Sequence, residues 1–171
     1  MGLQRFEATQ TVPVPLEEAW DFFIDPRNLT RITPPDMGFE VTSTVPERAY
    51  PGLIISYKVR PLFGVPVEWV TEITHLVEGS MFVDEQRVGP YRLWHHEHWM
   101  RAVPGGTEMR DVVSYVLPFG PFGAVVNGLV RRRLEHIFDY RSGVLRQVFG
   151  GARPSNGAAP AMQPASDFGS A

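Results

Sequence analysis

Residues 82–100, FVDEQRVGPYRLWHHEHWM, place the tightest limit on what this chain can fold into. Gly89-Pro90-Tyr91 separates two stretches of strand-type composition, so the segment reads as a hairpin. Side chains alternate across a strand, and one face of a curved sheet must be dry. In the second stretch Trp94, His96, His98 and Met100 are cheaper to bury than His95, Glu97, Trp99 and Arg101. In the first, Phe82, Asp84, Gln86 and Val88 are slightly preferred to Met81, Val83, Glu85 and Arg87. A turn centred on Pro90 sets Asp84 opposite His96 and Gln86 opposite Trp94, about 5 Å apart at Cβ. An acid then faces an imidazole on the inner surface of a sheet.

The rest of the chain is consistent with one domain around that sheet. It has 171 residues, 43% of them hydrophobic and 20% charged, enough for one sizeable core. A net charge of −3 gives no basic footprint, so no nucleic-acid partner is expected. No apolar run is long enough for stable membrane insertion and no signal-peptide layout opens the chain, which makes the cytoplasm the default location. The absence of cysteine excludes disulfides, thiolate metal sites and cysteine nucleophiles. No Gly-rich phosphate loop or internal repeat is present.

Taken in order, residues 3–12 alternate as a half-buried strand that ends at Pro13 and Pro15. Leu16, Ala19, Trp20, Phe23 and Ile24 then recur at helical spacing, with Glu17 and Glu18 suited to a first turn. Asp25-Pro26 has the form of a cap, and the second short helix it opens carries Leu29 and Ile32 and stops at Pro34-Pro35. Strands are expected at 39–44, at 53–60 with Leu53, Ile55, Tyr57 and Val59 inward, and at 67–77 with Trp69, Thr71, Ile73 and His75 on one side. Glu78-Gly79 is a plausible tight turn into the 82–100 hairpin.

Gly105-Gly106 is a strong two-residue hairpin signal ahead of a last strand at 107–117. Pairing across it puts Tyr115 opposite His96 and Val113 opposite His98, so that Asp84, His96 and Tyr115 form one row, with Asp111 opposite Met100 and diagonal to His98. From Pro121 to Phe149 an apolar stripe of Val126, Val130, Leu134, Ile137 or Phe138, Leu145 and Val148 predicts a helix about 40 Å long. Of the arginines at 131–133, at most two share a face, and a solvated role is expected. Residues 150–171 are Gly, Ala, Pro and Ser with little apolar periodicity and read as a disordered tail, leaving 1–149 as the domain.

This order of elements resembles the START-like or helix-grip fold, an α+β architecture also found in birch-pollen-allergen-like proteins. A curved antiparallel sheet of about seven strands wraps a long C-terminal helix, with two short helices after the first strand. Thr33-Pro34-Pro35, Phe82-Val83-Asp84-Glu85-Gln86, Gly89-Pro90-Tyr91, the Trp94, His96, Glu97, His98 run, Gly105-Gly106-Thr107 with Asp111, and Leu117-Pro118 resemble a bacterial branch of the SRPBCC ligand-binding superfamily. That superfamily includes polyketide cyclases, coenzyme Q-binding proteins and lipid-transfer domains. The resemblance covers residues 3–149 and implies an apolar cavity between sheet and long helix; it carries over no catalytic residue.

The residues expected to line such a cavity are Tyr57, Trp69, Thr71, Phe82, Asp84, Gln86, Trp94, His96, His98, Asp111, Tyr115, Leu134 and Phe138. Buried polar groups there need partners, since an unpaired one costs about 1 to 3 kcal/mol. The plainest account is mutual satisfaction, Asp84 with His96 or Asp111 with His98; the functional account is that the same groups orient the polar end of an apolar ligand. Tyr57, Trp69, Phe82 and Trp94 are core packing first and a stacking wall second. His96 and His98 also have the donor type for zinc or iron, but hydrogen-bond partners face them already, and no metal or other cofactor is assigned.

The expected function is binding, transport or sensing of a hydrophobic small molecule, lipid-like or aromatic. The alternative is a cyclase-, dehydratase- or hydrolase-type enzyme with His96 as acid/base, Asp84 as its orienter and Tyr115 as donor to an oxyanion. A third reading is a cochaperone-like module that binds protein through outer-face residues such as Trp99. The sequence leaves the oligomeric state open.

Overall fold

A computed structural model describes residues 2–60, 64–118 and 123–150, with side chains of the last segment from 126. Strand β1 (Gln4–Val12) leads into helix α1 (Leu16–Ile24) and two single 3-10 turns, Pro26–Asn28 and Pro35–Met37. Strands β2 (Glu40–Val41), β3 (Ile54–Val59), β4 (Val67–Val77), β5 (Met81–Val88), β6 (Leu93–Val103) and β7 (Gly106–Val116) follow, and helix α2 (Gly123–Val148) closes the order. The strands form one antiparallel sheet in the order β1-β7-β6-β5-β4-β3-β2. This is the expected helix-grip architecture.

Helix α1 forms where the apolar period is helical, and it buries Ala19, Trp20 and Ile24. Its indole is anchored from across the fold, Trp20 Nε1 donating to Glu78 Oε1 at 2.8 Å. The second short helix is smaller than expected. Asp25 accepts from the backbone N–H of Arg27 and starts one 3-10 turn, and Pro35 opens a further turn instead of ending a helix. Strand β2 is also shorter than the expected 39–44 strand.

The inner face of the sheet carries three apolar clusters with α2 across them, one of them Val59 and Trp69 with Met37 against Ile137. Phe6, Val113, Tyr115 and Leu117 meet Val130, Leu134 and Phe138 of the helix. Farther along, Leu145 joins Val12, Trp20, Ile24, Met100 and Met109. The stripe Val130, Leu134, Phe138, Leu145 is the expected one, except that Val148 is 37% exposed. Between Phe138 and Leu145 the buried position is Arg141.

Two irregularities overturn the expected faces of His75 and Val88. A register shift between Ile73 and His75 inserts one residue, so His75 turns outward and Leu76 packs inward. A second shift between Val70 and Thr71 sets Val88 opposite Val70, and Val88 is exposed. The β6–β7 turn is also displaced from the expected one. Val103 pairs with Gly106, so the loop residues are Pro104 and Gly105. Gly105, at φ 89°, fills the turn position that requires positive φ after a proline. Gly106 belongs to the strand, where an added Cβ would lie 2.0 Å from the Val12 carbonyl oxygen. Tyr115 therefore faces Trp94, Val113 faces His96 and Asp111 faces His98. Of the expected tail at 150–171 all but Gly150 lies outside the described residues, as does the expected helix start at Pro121.

Candidate functional site

Alternation on four adjacent strands and the stripe of α2 converge on one cavity of about 180 Å³. Strand β3 contributes Ile55, Tyr57 and Val59, β4 contributes Trp69, Thr71 and Ile73, β5 contributes Phe82 and Asp84, and β6 contributes Trp94, His96 and His98. Helix α2 supplies Val130, Arg133, Leu134, Ile137, Phe138 and Arg141. Phe22, Phe23, Leu29, Ile32, Met37 and Phe39, from the segment between β1 and β3, close the remaining side.

Of the residues expected to line the cavity, Tyr57, Trp69, Thr71, Phe82, Asp84, Trp94, His96, His98, Leu134 and Phe138 do so. Gln86, Asp111 and Tyr115 do not. Gln86 binds the hairpin turn, its Nε2 donating to the Tyr91 carbonyl at 2.8 Å and its Oε1 accepting from the Tyr91 N–H at 3.2 Å. The β5–β6 ladder has ended by then, at Glu85 opposite His95, so the expected Gln86–Trp94 pair is absent from it. Tyr115 donates to Asn127 Oδ1 at 2.7 Å, and Asn127 donates to Gln4 Oε1 at 3.1 Å. That chain ties the sheet to α2 and removes Tyr115 from the row with His96 and from the oxyanion-donor role. The displaced β6–β7 turn is the reason.

Asp111 stands behind the wall, 3% exposed. Asp84 and His96 are in register as expected, with Asp84 Oδ2 3.3 Å from His96 Nδ1. The same oxygen is 2.8 Å from His98 Nε2. Asp111 Oδ1 is 3.1 Å from His96 Nε2 and 2.8 Å from His98 Nδ1, and it is bound by Arg141 Nη1 at 3.2 Å. Two imidazoles therefore lie between two carboxylates, with a guanidinium on the second. Both nitrogens of each ring face a carboxylate oxygen, and two of the four contacts, His96 Nε2 with Asp111 and His98 Nε2 with Asp84, have hydrogen-bond geometry.

Burial alone would push the Asp84 carboxyl up, but the charge of His96 and hydrogen bonds from both histidines hold it well below the usual range. Asp111 is lowered against burial by hydrogen bonds from His96 and His98 and by the charge of Arg141. Burial would lower His96, and the carboxylates of Asp84 and Asp111 overcome it, pushing the imidazole up to about 9. Burial, with the charge of Asp84 adding to it, raises the Tyr57 hydroxyl above its ordinary range. Tyr57 and Thr71 share a hydrogen bond of 2.7 Å, and Trp69 Nε1 donates to the same Thr71 oxygen at 3.1 Å.

Two basic lining residues escaped the sequence reading. Arg141 was legible only as a cation inside an apolar stripe. Arg133 was assigned to solvent with its neighbours, but it turns to the cavity and pairs with Asp36 at 2.5 Å, while Arg131 and Arg132 stay exposed. On the convex face Glu97 is in register with the buried Val83 and Val112, and Trp99 Nε1 donates to Glu97 at 2.8 Å. Among the described residues no helix is long and apolar enough to cross a membrane.

No curated protein matches the chain in sequence. Its fold is similar to that of Ara h 8.0201, with a TM-score of 0.61 at 18% identity over 85% of this chain and 99% of that one. It is similar to the di-domain ARO/CYC BexL from the BE-7585A biosynthetic pathway, with a TM-score of 0.66 at 18% identity over 89% of this chain and 51% of that one. Ms6760 from Mycobacterium smegmatis gives a TM-score of 0.62 at 17% identity over 86% of this chain and 98% of that one. The family model described as polyketide cyclase / dehydrase and lipid transport matches residues 12–138. The chain therefore belongs to the polyketide cyclase / dehydrase and lipid transport family, within the SRPBCC superfamily.

Proposed function

We propose that the protein binds a hydrophobic small molecule, lipid-like or aromatic, in the cavity between sheet and α2. The observation that carries this reading is the make-up of the lining: aromatic and aliphatic side chains surround most of the space, and Tyr57, Thr71, Asp84, His96 and His98 form a polar patch on the sheet wall, with Arg133 and Arg141 on the helix side. An apolar body with one polar end matches such a lining. The family description, which joins polyketide cyclases and dehydrases to lipid transport, supports an apolar guest.

Acid/base turnover by His96 with Asp84 is the second reading, favoured by the position of both on the cavity wall. The engagement of both ring nitrogens of His96 weighs against it, because a proton-transferring group needs a nitrogen within reach of the substrate. Native mass spectrometry of protein from its own cell, with extraction of whatever is retained, tests the binding reading. A co-purifying apolar molecule that quenches the fluorescence of Trp69 and Trp94 on re-addition is the expected result. Protein that carries none, and whose fluorescence no apolar probe alters, would overturn it. Turnover of the extracted molecule that disappears in His96→Ala at unchanged affinity would favour the enzyme.

A further inference from the structure

The adjacent histidines pose a proton-counting problem. Their ring centroids are 3.8 Å apart, and all four nitrogens face carboxylate oxygens. Two of the contacts, His96 Nε2 with Asp111 and His98 Nε2 with Asp84, have hydrogen-bond geometry. A neutral imidazole has one N–H, so two neutral rings can donate to only two of the four contacts, and one charged ring raises that to three. Charging both rings instead sets two cations side by side with centroids 3.8 Å apart in a largely buried site, which is costly.

The four contacts divide by side. Asp111 receives one nitrogen from each ring on a single oxygen, is bound by Arg141, and lies outside the cavity lining. Asp84, His96 and His98 are on the lining. With each ring's proton directed to Asp111, the lone pairs of His96 Nδ1 and His98 Nε2 both face Asp84 Oδ2. Donor atoms of these three residues lie within 4.8 Å of one another, and a cation between them would satisfy all three at once. Metal-ligating histidines commonly give their second N–H to a carboxylate, which is the position Asp111 holds.

We propose that Asp84, His96 and His98 bind one divalent first-row transition ion, with Asp111 orienting both imidazoles from behind and Arg141 balancing Asp111. Two imidazole nitrogens and one carboxylate oxygen suit zinc or iron(II), and imidazole donors disfavour magnesium and calcium. Three protein ligands leave the remaining coordination positions toward the cavity, where an oxygen of a guest molecule or a water would complete the set. This departs from the sequence expectation of no metal, and it stands whether or not the cavity takes an apolar ligand.

The test is titration of chelator-stripped protein with Co(II), followed by displacement with Zn(II). One cobalt per chain is expected, with a visible absorption band that zinc removes. Affinity should fall at least 100-fold in His96→Gln and in Asp84→Asn. It should fall about 10- to 100-fold in Asp111→Asn, which removes the orienting carboxylate but no ligand. The competing surface positions are His95 beside Glu85 and Glu97 on the convex face, and His136 beside Asp36. His95→Gln and His136→Gln should therefore leave the titration unchanged. A wild-type chain that gives no cobalt band, or full affinity retained in His96→Gln, would overturn the proposal. The wild-type titration decides by itself where a variant does not fold.

Discussion

Asp111 Oδ1 and Arg141 Nη1 meet at 3.2 Å with both residues buried, and this contact fastens the sheet to the long helix at a position where the helix stripe calls for an apolar side chain. The guanidinium also lies over Phe138, 4.7 Å from the ring centroid. Its Nε is buried without a partner. Arg141 is thus held by charge on one side and a π face on another, in surroundings that would otherwise favour leucine. Its presence there is explained by Asp111, whose carboxylate is shared by two histidines and needs a fixed counter-charge.

Arg141→Leu should therefore destabilise the fold although it adds an apolar side chain to an apolar stripe. Removing one member of a buried ion pair strands the other, at about 3 kcal/mol when no substitute is near. The two histidines still reach Asp111, so the loss should fall somewhat below that. Urea unfolding of the wild type, Arg141→Leu, Asp111→Asn and the double variant gives the coupling. Costs that simply add would show that Arg141 acts elsewhere.

The same cluster sets the pH dependence of stability in the metal-free protein. His96 is raised from the ordinary 6.5 to about 9, so its contribution is complete below 6.5 and is lost as pH rises through 9. At roughly 1.4 kcal/mol per unit the alkaline loss is about 3 kcal/mol. Asp84 and Asp111 are lowered, so their contribution is present above the ordinary carboxylate range near 3.8 and disappears as pH falls below it. Chelator-treated protein should be most stable between these limits. The alkaline loss should vanish in His96→Gln, and an unchanged alkaline limb there would assign it to other groups.

Cavity occupancy should respond to volume before it responds to charge. Ile137 lines the space from α2 and is half-buried. Ile137→Trp should fill much of it at a stability cost of about 1 to 3 kcal/mol or less, since the added ring has free volume to enter. Uptake of an apolar fluorescent probe should fall tenfold or more with the near-native fold kept. Equal uptake by the variant would place the binding volume elsewhere.

Much of this arrangement was written in the alternation of the strands. Trp94, His96, His98 and Met100 face the helix because burying His95, Glu97 and Arg101 would have cost more, and a period of two admits only those choices. The Asp84–His96 pairing followed from one proline-centred turn. What the pattern hid were insertions and cross-fold partners. A bulge changes parity without a compositional sign, which is how His75 and Val88 came out on the wrong faces. Arg141 answers a charge on β7, and nothing within α2 announces that.

Gly105 and Gly106 show how local chemistry misleads by one residue, and they make a sharp test of the β6–β7 register. Both have positive φ, 89° and 152°, so alanine is strained at either. They differ in surroundings. Around Gly105 an added Cβ would meet nothing within 4 Å, so Gly105→Ala should cost about 1 kcal/mol, the usual penalty of a positive-φ turn residue. At Gly106 the Cβ would lie 2.0 Å from the Val12 carbonyl oxygen and 3.0 Å from Pro13 Cα, both backbone atoms that cannot step aside. Gly106→Ala should therefore displace the end of β1 from β7 and cost about 3 kcal/mol or more. Hydrogen exchange of the adjacent ladder, Val12 opposite Thr107, should rise with it. Equal costs at the two glycines would mean that Gly106 occupies the loop, and the register that brings Asp111 to His98 would then be wrong.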